Sequence, residues 1–259
     1  MVQCLMIQLD LQNPFGAPVY FEETLPSTMD VSRVLAARGE PHGTVIAADF
    51  QEKGRGRIPG RPWKMDKGVS LSFTLFFAFK DFFAIPRALT LRTGLAISLA
   101  IEDFAPSLAA RVQVKWPNDI MVDSKKVAGI LTEGDGKNVF IGIGVNVGQK
   151  EFPEALRGKA VSIFQALGDQ EIPERFDLLE KILKHLYLEL NNAAPPWRSS
   201  LEARLYRKGE MIRFIDGAAE SGRVVEGLLS GIGRDGELLI KPDGEKDPRA
   251  FVTGELDVY

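Results

Sequence analysis

Apolar and polar positions along the chain recur with two periods, and the changes of period mark its elements. Val19 to Glu22 reads as a short strand. Pro26, Ser27 and Thr28 then set hydroxyls before Met29, Val31, Val34, Leu35 and Ala37, a spacing that predicts a helix with a hydroxyl N-cap. Thr44 to Ala48 predicts a buried strand. Val69 to Phe79 predicts a longer one, with Val69, Leu71, Phe73 and Leu75 on one face and Ser70, Ser72, Thr74 and Phe76 on the other. Within Ile85 to Phe104, the residues Leu89, Leu91, Leu95, Ala96, Leu99 and Ala100 fall at helical spacing, so this segment predicts a helix packed on the sheet.

A strand beginning at Val112 ends at Lys115 and Trp116, because Pro117 removes a donor and restricts the residue before it. Ile120 to Val122 and Val127 to Leu131 flank Asp123, Ser124 and Lys125, which predicts a hairpin. Period two would put Lys126, Ala128 and Ile130 on one face, with the lysine pointing into the covered side of the sheet. Val139 to Val147 predicts a strand whose Gly142 and Gly144 leave one face bare. Pro173 to Asn192 predicts a helix with Phe176, Leu179, Ile182, Leu183, Leu186 and Leu190 on one side. Ala193 to Pro196 breaks it, and Arg198 to Lys208 predicts a further short helix. After Gly209 the pattern changes to short strands, Met211 to Ile215, Arg223 to Leu229, Glu237 to Ile240 and Ala250 to Thr253, with Asp235-Gly236 as a hairpin signal. A domain boundary is therefore expected near Arg207, dividing residues 1–207 from a small β-domain at 208–259.

Composition narrows the function classes. With 45% hydrophobic and 26% charged residues, the 259-residue chain has the make-up of a globular protein with a substantial core. Its 32 basic and 35 acidic residues give no overall nucleic-acid footprint. One cysteine, Cys4, excludes an internal disulfide and a cysteine metal cluster. The N-terminal residues lack the pattern of a signal peptide, and the longest all-apolar run, Leu75 to Phe79, is too short to cross a bilayer, so a cytoplasmic location is expected.

Against this even background, Lys53, Arg55, Arg57 and Arg61 crowd into nine residues with Gly54, Gly56 and Gly60 between them. Cations concentrated in a slightly acidic chain call for an anion, and glycines let backbone N–H groups approach a phosphate closely. Solvated loop tip and anion cradle are both open at this point. Ser27 and Thr28, at a helix N-terminus, suit either capping or a polar ligand group. Lys126, if buried, needs an anionic partner. Asp119, with Asn118, is either a turn carboxylate or a partner of a hard cation beside phosphates. Asn146 either forms a turn or reads a purine edge. Trp63 either stacks on a flat ring or closes its loop onto the core. His42 and His185 form no metal or triad pattern.

Gly54-Arg-Gly-Arg57, Gly60-Arg61 and Trp63, then Lys115-Trp-Pro-Asn-Asp119, Lys126-Val-Ala-Gly-Ile130 and Gly142-Ile-Gly-Val-Asn146, together resemble the biotin protein ligases over nearly the whole chain from Val19 onward. The resemblance implies an α+β fold: a mixed β-sheet with packed helices, of the kind shared with class II aminoacyl-tRNA synthetases, followed by an SH3-like β-barrel. It implies a ligase that uses biotin, ATP and Mg2+ to form biotinyl-5'-AMP and then biotinylates a lysine of a biotin carboxyl carrier domain. Lys126, Arg57 and Lys115 are the implied catalytic cations. Ser27, Thr28, Gln51, Arg55, Gly56, Arg57 and Lys126 match biotin-binding positions. Arg57, Arg61, Trp63, Lys115, Asn118 and Asn146 match ATP-binding positions, and Asp119 lies near the phosphates and magnesium.

Two departures stand out. The chain has Arg57-Ile-Pro-Gly-Arg61, one residue longer than the family's usual Arg-x-Gly-Arg, which shifts the register of Arg61 and Trp63. Met29 follows the hydroxyl pair where asparagine is frequent. About eighteen residues precede the first predicted strand, so a DNA-binding domain is not expected. A lipoate or other acyl-adenylating ligase and a non-catalytic biotin-binding relative are the alternatives. Oligomeric state, a homodimer included, is left open.

Overall fold

The computed structural model describes residues 6–58, 60, 63, 66–168, 174–191, 196–218 and 222–257. Arg61, Pro173 and the Ala193 to Pro195 break lie outside them. The described strands are β1 (Ile7–Gln8), β2 (Val19–Leu25), β3 (Val45–Gln51), β4 (Ser70–Ala78), β5 (Val112–Lys115), β6 (Asp119–Val122), β7 (Lys125–Gly134), β8 (Asn138–Asn146), β9 (Met211–Asp216), β10 (Arg223–Ile232), β11 (Leu238–Pro242), β12 (Arg249–Phe251) and β13 (Glu255–Leu256). The helices are α1 (Thr28–Ala37), α2 (Leu89–Phe104), α3 (Ile163–Leu167), α4 (Arg175–Leu190) and α5 (Trp197–Glu202).

Eight strands form a mixed sheet in the order β1-β2-β3-β4-β8-β7-β6-β5. The pair β2 and β3 is parallel, joined through α1, and the other pairs are antiparallel. The alternation along β4 shows how its two faces divide. Leu71, Phe73, Leu75 and Phe77 enter the main core with α2 and α4. On the opposite face only Phe76 joins the smaller cluster that Met29 and Leu35 of α1 form with Ile46 and Phe140. The helix α1 thus covers one end of that face, and Ser72 and Thr74, with Gly142 and Gly144 of β8, are left to floor a cavity.

The helix α4 buries Leu178, Leu179, Ile182, Leu183 and Leu186 completely, each worth roughly 1.5–3 kcal/mol. Gly94 lets α2 approach the sheet, since a Cβ there would stand 3.3 Å from Val114 Cγ1. The segment Phe82–Phe104 is long and apolar enough to cross a membrane, and most of it is buried inside this core. The predicted start at Ile85 is displaced to Leu89, behind a 3-10 turn at Phe82–Ala84 and Pro86. The last predicted helix shortens to α5, because the chain then turns to pair Leu205 with Val114.

Asp123 and Ser124 both adopt positive φ, 48° and 63°, which makes the predicted hairpin turn a two-residue one of type I′. The expectation for Lys126 needs correction. Ile120 pairs with Ala128 but Met121 pairs with Lys126, so Val127 is an extra residue in β7. This bulge shifts the side-chain alternation by one. Ala128 and Ile130 face the core, whereas the Lys126 side chain lies over Gly129, on the cavity side.

A second, five-stranded antiparallel sheet, ordered β12-β11-β10-β9-β13, follows α5. It is joined to the first by buried contacts: Trp116 Nε1 donates to Gly236 O at 3.0 Å, and the Trp116 and Phe214 rings lie 5.8 Å apart. The short strand β13, not anticipated from sequence, brings Gly254 and Glu255 back toward the loop after β3.

Between α2 and α4 lies a buried ion pair, with Arg92 Nε 2.8 Å from Glu189 Oε1. Removing the Glu189 carboxylate takes from the buried guanidinium the opposite charge paired with it. Glu189→Gln is therefore expected to lower stability by about 3–5 kcal/mol in urea unfolding, whereas replacing both residues by leucine should recover most of the loss.

Candidate active site

The cavity floor is built from paired glycines. Gly129 of β7 faces Gly144 of β8 across the ladder. The indole of Trp63 lies on this bare platform: a Cβ at Gly144 would collide with it, and one at Gly129 would meet Trp63 Cζ3 at 3.5 Å and Lys126 Cε and Nζ at 3.1 Å. Gly142 receives Met29, whose Cε would be 3.0 Å from a Cβ. The bareness read from sequence is thus filled by Trp63 and Met29, residues of the loop and of α1. Trp63 is fixed by its own N–H, which donates to Gly54 O at 3.1 Å, but its buried Nε1 has no partner among the described residues.

One end of the cavity is lined by hydroxyls. Ser27 caps α1, accepting from Asp30 N at 3.4 Å. Leu25 pairs with Gln51 in the parallel ladder, which sets Gln51 beside the helix start. Gln51 Oε1 accepts from Thr28 N at 2.9 Å and from Thr28 Oγ1 at 3.0 Å, and Thr28 Oγ1 lies 2.9 Å from Thr74 Oγ1. Ser72, only 1% exposed, presents an Oγ with no partner among the described residues. Sequence reasoning did not assign Ser72 or Thr74 to the site, although hydroxyls at every second position of an apolar strand were a visible signal.

The other end gathers cations. Lys126 Nζ is 2.6 Å from Asp119 Oδ1 and 5.9 Å from the Trp63 ring centroid. Arg57 donates from Nη2 to Gly254 O at 3.3 Å. Arg57, Asn118, Trp63 and Lys126 line both the hydroxyl-ended cavity, of about 70 Å³, and an adjoining cleft of about 230 Å³ that reaches Asp119, Asn146 and Glu255. Lys115 is 3% exposed; burial pushes its ammonium below the ordinary lysine range, Asp119 and Glu255 oppose that, and Lys126 and Arg57 add to it. Charges from four chain segments therefore act on one another here. Glu255 was missed because nothing local marks it; only the return of β13 brings it to the site.

Two predicted polar residues are engaged with backbone. Asn118 Nδ2 donates to Ile130 O at 2.8 Å. Asn146, 4% exposed, donates from Nδ2 to Lys126 O at 3.4 Å and Val161 O at 3.3 Å, and accepts from Gln149 Nε2 at 3.3 Å. Both amides hold the strand that carries Lys126. Gly56 lines the cavity, and Arg55 is paired with Asp30, Nη2 to Oδ1 at 2.8 Å. No group of three or more His, Cys, Asp or Glu residues placed to hold a metal occurs among the described residues.

Residues 21–149 match the model of the Biotin/lipoate A/B protein ligase family. The chain is 34% identical over 206 residues to a biotin–[acetyl-CoA-carboxylase] ligase of Paracoccus denitrificans, covering 76% of this chain and 83% of that one. It is 35% identical over 162 residues to the bifunctional ligase/repressor BirA of Bacillus subtilis, covering 60% of this chain and spanning about half, 49%, of that relative's length. Among solved structures, the biotin protein ligase of Aquifex aeolicus in complex with biotin and ATP superposes with a TM-score of 0.76 at 26% identity, over 92% of this chain and 97% of that one.

Ser72 lines the cavity, where water can reach its hydroxyl, so Ser72→Ala is expected to leave stability within about 0.5 kcal/mol of wild type, whereas Thr74→Ala, which removes the hydroxyl bonded to Thr28, should lower it by about 1–2 kcal/mol, a shift of a few degrees in thermal midpoint. Differential scanning calorimetry of the two variants distinguishes them.

Proposed function

The chain belongs to the biotin/lipoate A/B protein ligase family, and from that premise we propose that it joins biotin to ATP, releasing pyrophosphate, and passes the biotinyl group to a lysine of a biotin carboxyl carrier domain in the cytoplasm. The observation that carries this reading is the two-ended site: uncharged hydroxyls and an amide at Ser27, Thr28 and Gln51, and the cations Arg57 and Lys126 at the other end, with the buried Lys115 electrostatically coupled to them though it lines neither cavity. A bicyclic urea with a carboxylate tail has that same division of polarity. Its ureido N–H groups and carbonyl suit Thr28, Gln51 and the unpartnered Ser72, and its carboxylate suits Lys126.

In the first step a carboxylate oxygen attacks the α-phosphorus and the bond to pyrophosphate breaks. Two anions must approach each other, so fixed cations lower the barrier by electrostatic stabilisation. Lys126 serves the carboxylate and the α-phosphoryl oxygens, Arg57 and Lys115 the phosphates. Asp119 holds Lys126 in place before substrate arrives. Asp119, which lines the adjoining cleft together with Glu255, would also hold Mg2+ there, and a site with few protein carboxylates fits a metal that keeps phosphate and water ligands. When bound, the metal neutralises phosphate charge. In the second step the acceptor lysine amine attacks the acyl carbonyl and AMP leaves. The loop carrying Arg57 and Trp63 lies across the cavity, a position suited to shielding the mixed anhydride from water.

Incubation with ATP, Mg2+, biotin and a carrier domain is expected to yield a carrier heavier by one biotinyl group; lipoate supporting pyrophosphate exchange in place of biotin would shift the reading to the sister activity. Lys126→Ala should reduce biotin-dependent pyrophosphate exchange by at least about 10²-fold with an unchanged thermal midpoint to within a few degrees. Ser72→Ala, folded about as stably as wild type, should bind biotin several-fold more weakly.

Lys115 sets a pH dependence. With its pKa depressed in the folded protein, kcat/KM for ATP should fall on the alkaline side below the ordinary lysine value of about 10.4, and Lys115→Arg should move that limb upward. Stability moves the opposite way. The penalty for burying the charged ammonium is full below the folded pKa and is relieved as pH rises toward the unfolded value. Exchange rates and urea midpoints measured across the same alkaline range check both signs.

A further inference from the structure

Arg55 sits among the cations of the loop, yet its guanidinium is already neutralised by protein carboxylates. Nη2 and Nη1 reach the two oxygens of Asp30 at 2.8 and 3.3 Å, and Nε lies 3.5 Å from Glu133 Oε1. Asp30 is in the first turn of α1, next to the hydroxyl end of the cavity, and Glu133 is near the far end of β7. Glu133 is itself held by Arg33 Nη2 at 2.6 Å, and the Arg33 guanidinium stacks 4.5 Å from the Phe140 ring centroid. Gly54 and Gly56 flank Arg55, and among the described residues of the loop Arg55 ties this stretch to α1 and β7, while Arg57 ties it to Gly254 O and Trp63 to the glycine platform.

We propose that Asp30, Arg55 and Glu133 form a latch that keeps the Arg/Gly loop closed over the activated acid. Arg55 is then a positioning residue rather than a ligand of biotin or phosphate. The closure role rests on the function proposed above; the latch itself does not. A pair of partly exposed ion pairs sharing one guanidinium suits a device that must open each turnover: strong enough to bias the closed state by several-fold, and weak enough to release. A buried pair would hold too firmly. Because Arg55 lies between α1 and β7, breaking either pair frees it from one of the two elements it bridges.

The test compares wild type with Asp30→Asn, Glu133→Gln and the double variant, all at exposed or half-exposed positions. In ligand-free protein, trypsin cleavage within the loop at Lys53, Arg55 and Arg57 is expected to be about threefold to tenfold faster in the double variant. Raising salt from 50 to 500 mM should speed cleavage of wild type toward the variant rate and change the variant little. The charge swap Asp30→Arg with Arg55→Asp should restore protection at the remaining sites. After preloading with ATP and labelled biotin, the double variant should release biotin and AMP faster by a similar factor without acceptor, while pyrophosphate exchange at saturating substrates stays within twofold of wild type. Equal loop cleavage in wild type and double variant overturns the latch whatever the substrate is. Faster cleavage with exchange falling in parallel overturns it as a closure device, because the carboxylates then act in the chemistry. Failure of wild type to exchange pyrophosphate with biotin would instead sink the proposed function and leave the proteolytic result to decide the latch.

Discussion

Arg57, Lys115 and Lys126 repel one another, and the structure around them is arranged to hold them together before any anion arrives. Asp119 pairs with Lys126, Glu255 acts on Lys115 from the second sheet, and the Gly254 carbonyl accepts from Arg57. Burial makes the repulsion expensive, as the lowered pKa of Lys115 records. A group of fixed positive charges held this way would require little reorganisation if the proposed carboxylate and triphosphate approached, the property on which electrostatic catalysis depends. The partners that steady the cations are two carboxylates and one backbone carbonyl, fewer negative charges than a triphosphate and a carboxylate would bring.

The rest of the fold serves that end. The bulge at Val127 turns Lys126 out of the core and onto the glycine platform, and the Asn118 and Asn146 amides fix the strand that bears it. On the same face, α1 covers Phe76 and Phe140 and meets Thr74 through its first residue, Thr28, which leaves beside it a cavity whose polarity changes along its length. The loop bridges both ends. It is tied at Arg55 to the hydroxyl end, and it carries Arg57 to the cationic end.

Much of this was legible in the sequence because it rests on short-range patterns. The periods of Val69 to Phe79 and Ile85 to Phe104, the Ser27 cap and the hairpin at Asp123 follow from local propensity and burial. The bulge at Val127 is different: it adds one residue to a ladder without changing composition, so strict alternation put Lys126 on the wrong face. Glu255, Asp30 and Glu133 gain their meaning only from pairing across long stretches of chain, and no spacing rule encodes that. Ser72 and Thr74 were visible as hydroxyls in an apolar strand, but their importance emerged when one proved satisfied and the other did not. Arg61 and the register of its loop lie outside the described residues.

The central claim is that cations from two distant segments neutralise one pair of anions as these join. A double-mutant cycle on biotin-dependent pyrophosphate exchange with Arg57→Ala and Lys126→Ala tests it most directly. The account predicts strong coupling: the double variant should be at least about tenfold more active than the product of the two single losses implies, since each cation acts on the same phosphoryl group. Losses that simply multiply would show that the two residues act independently, and would contradict it.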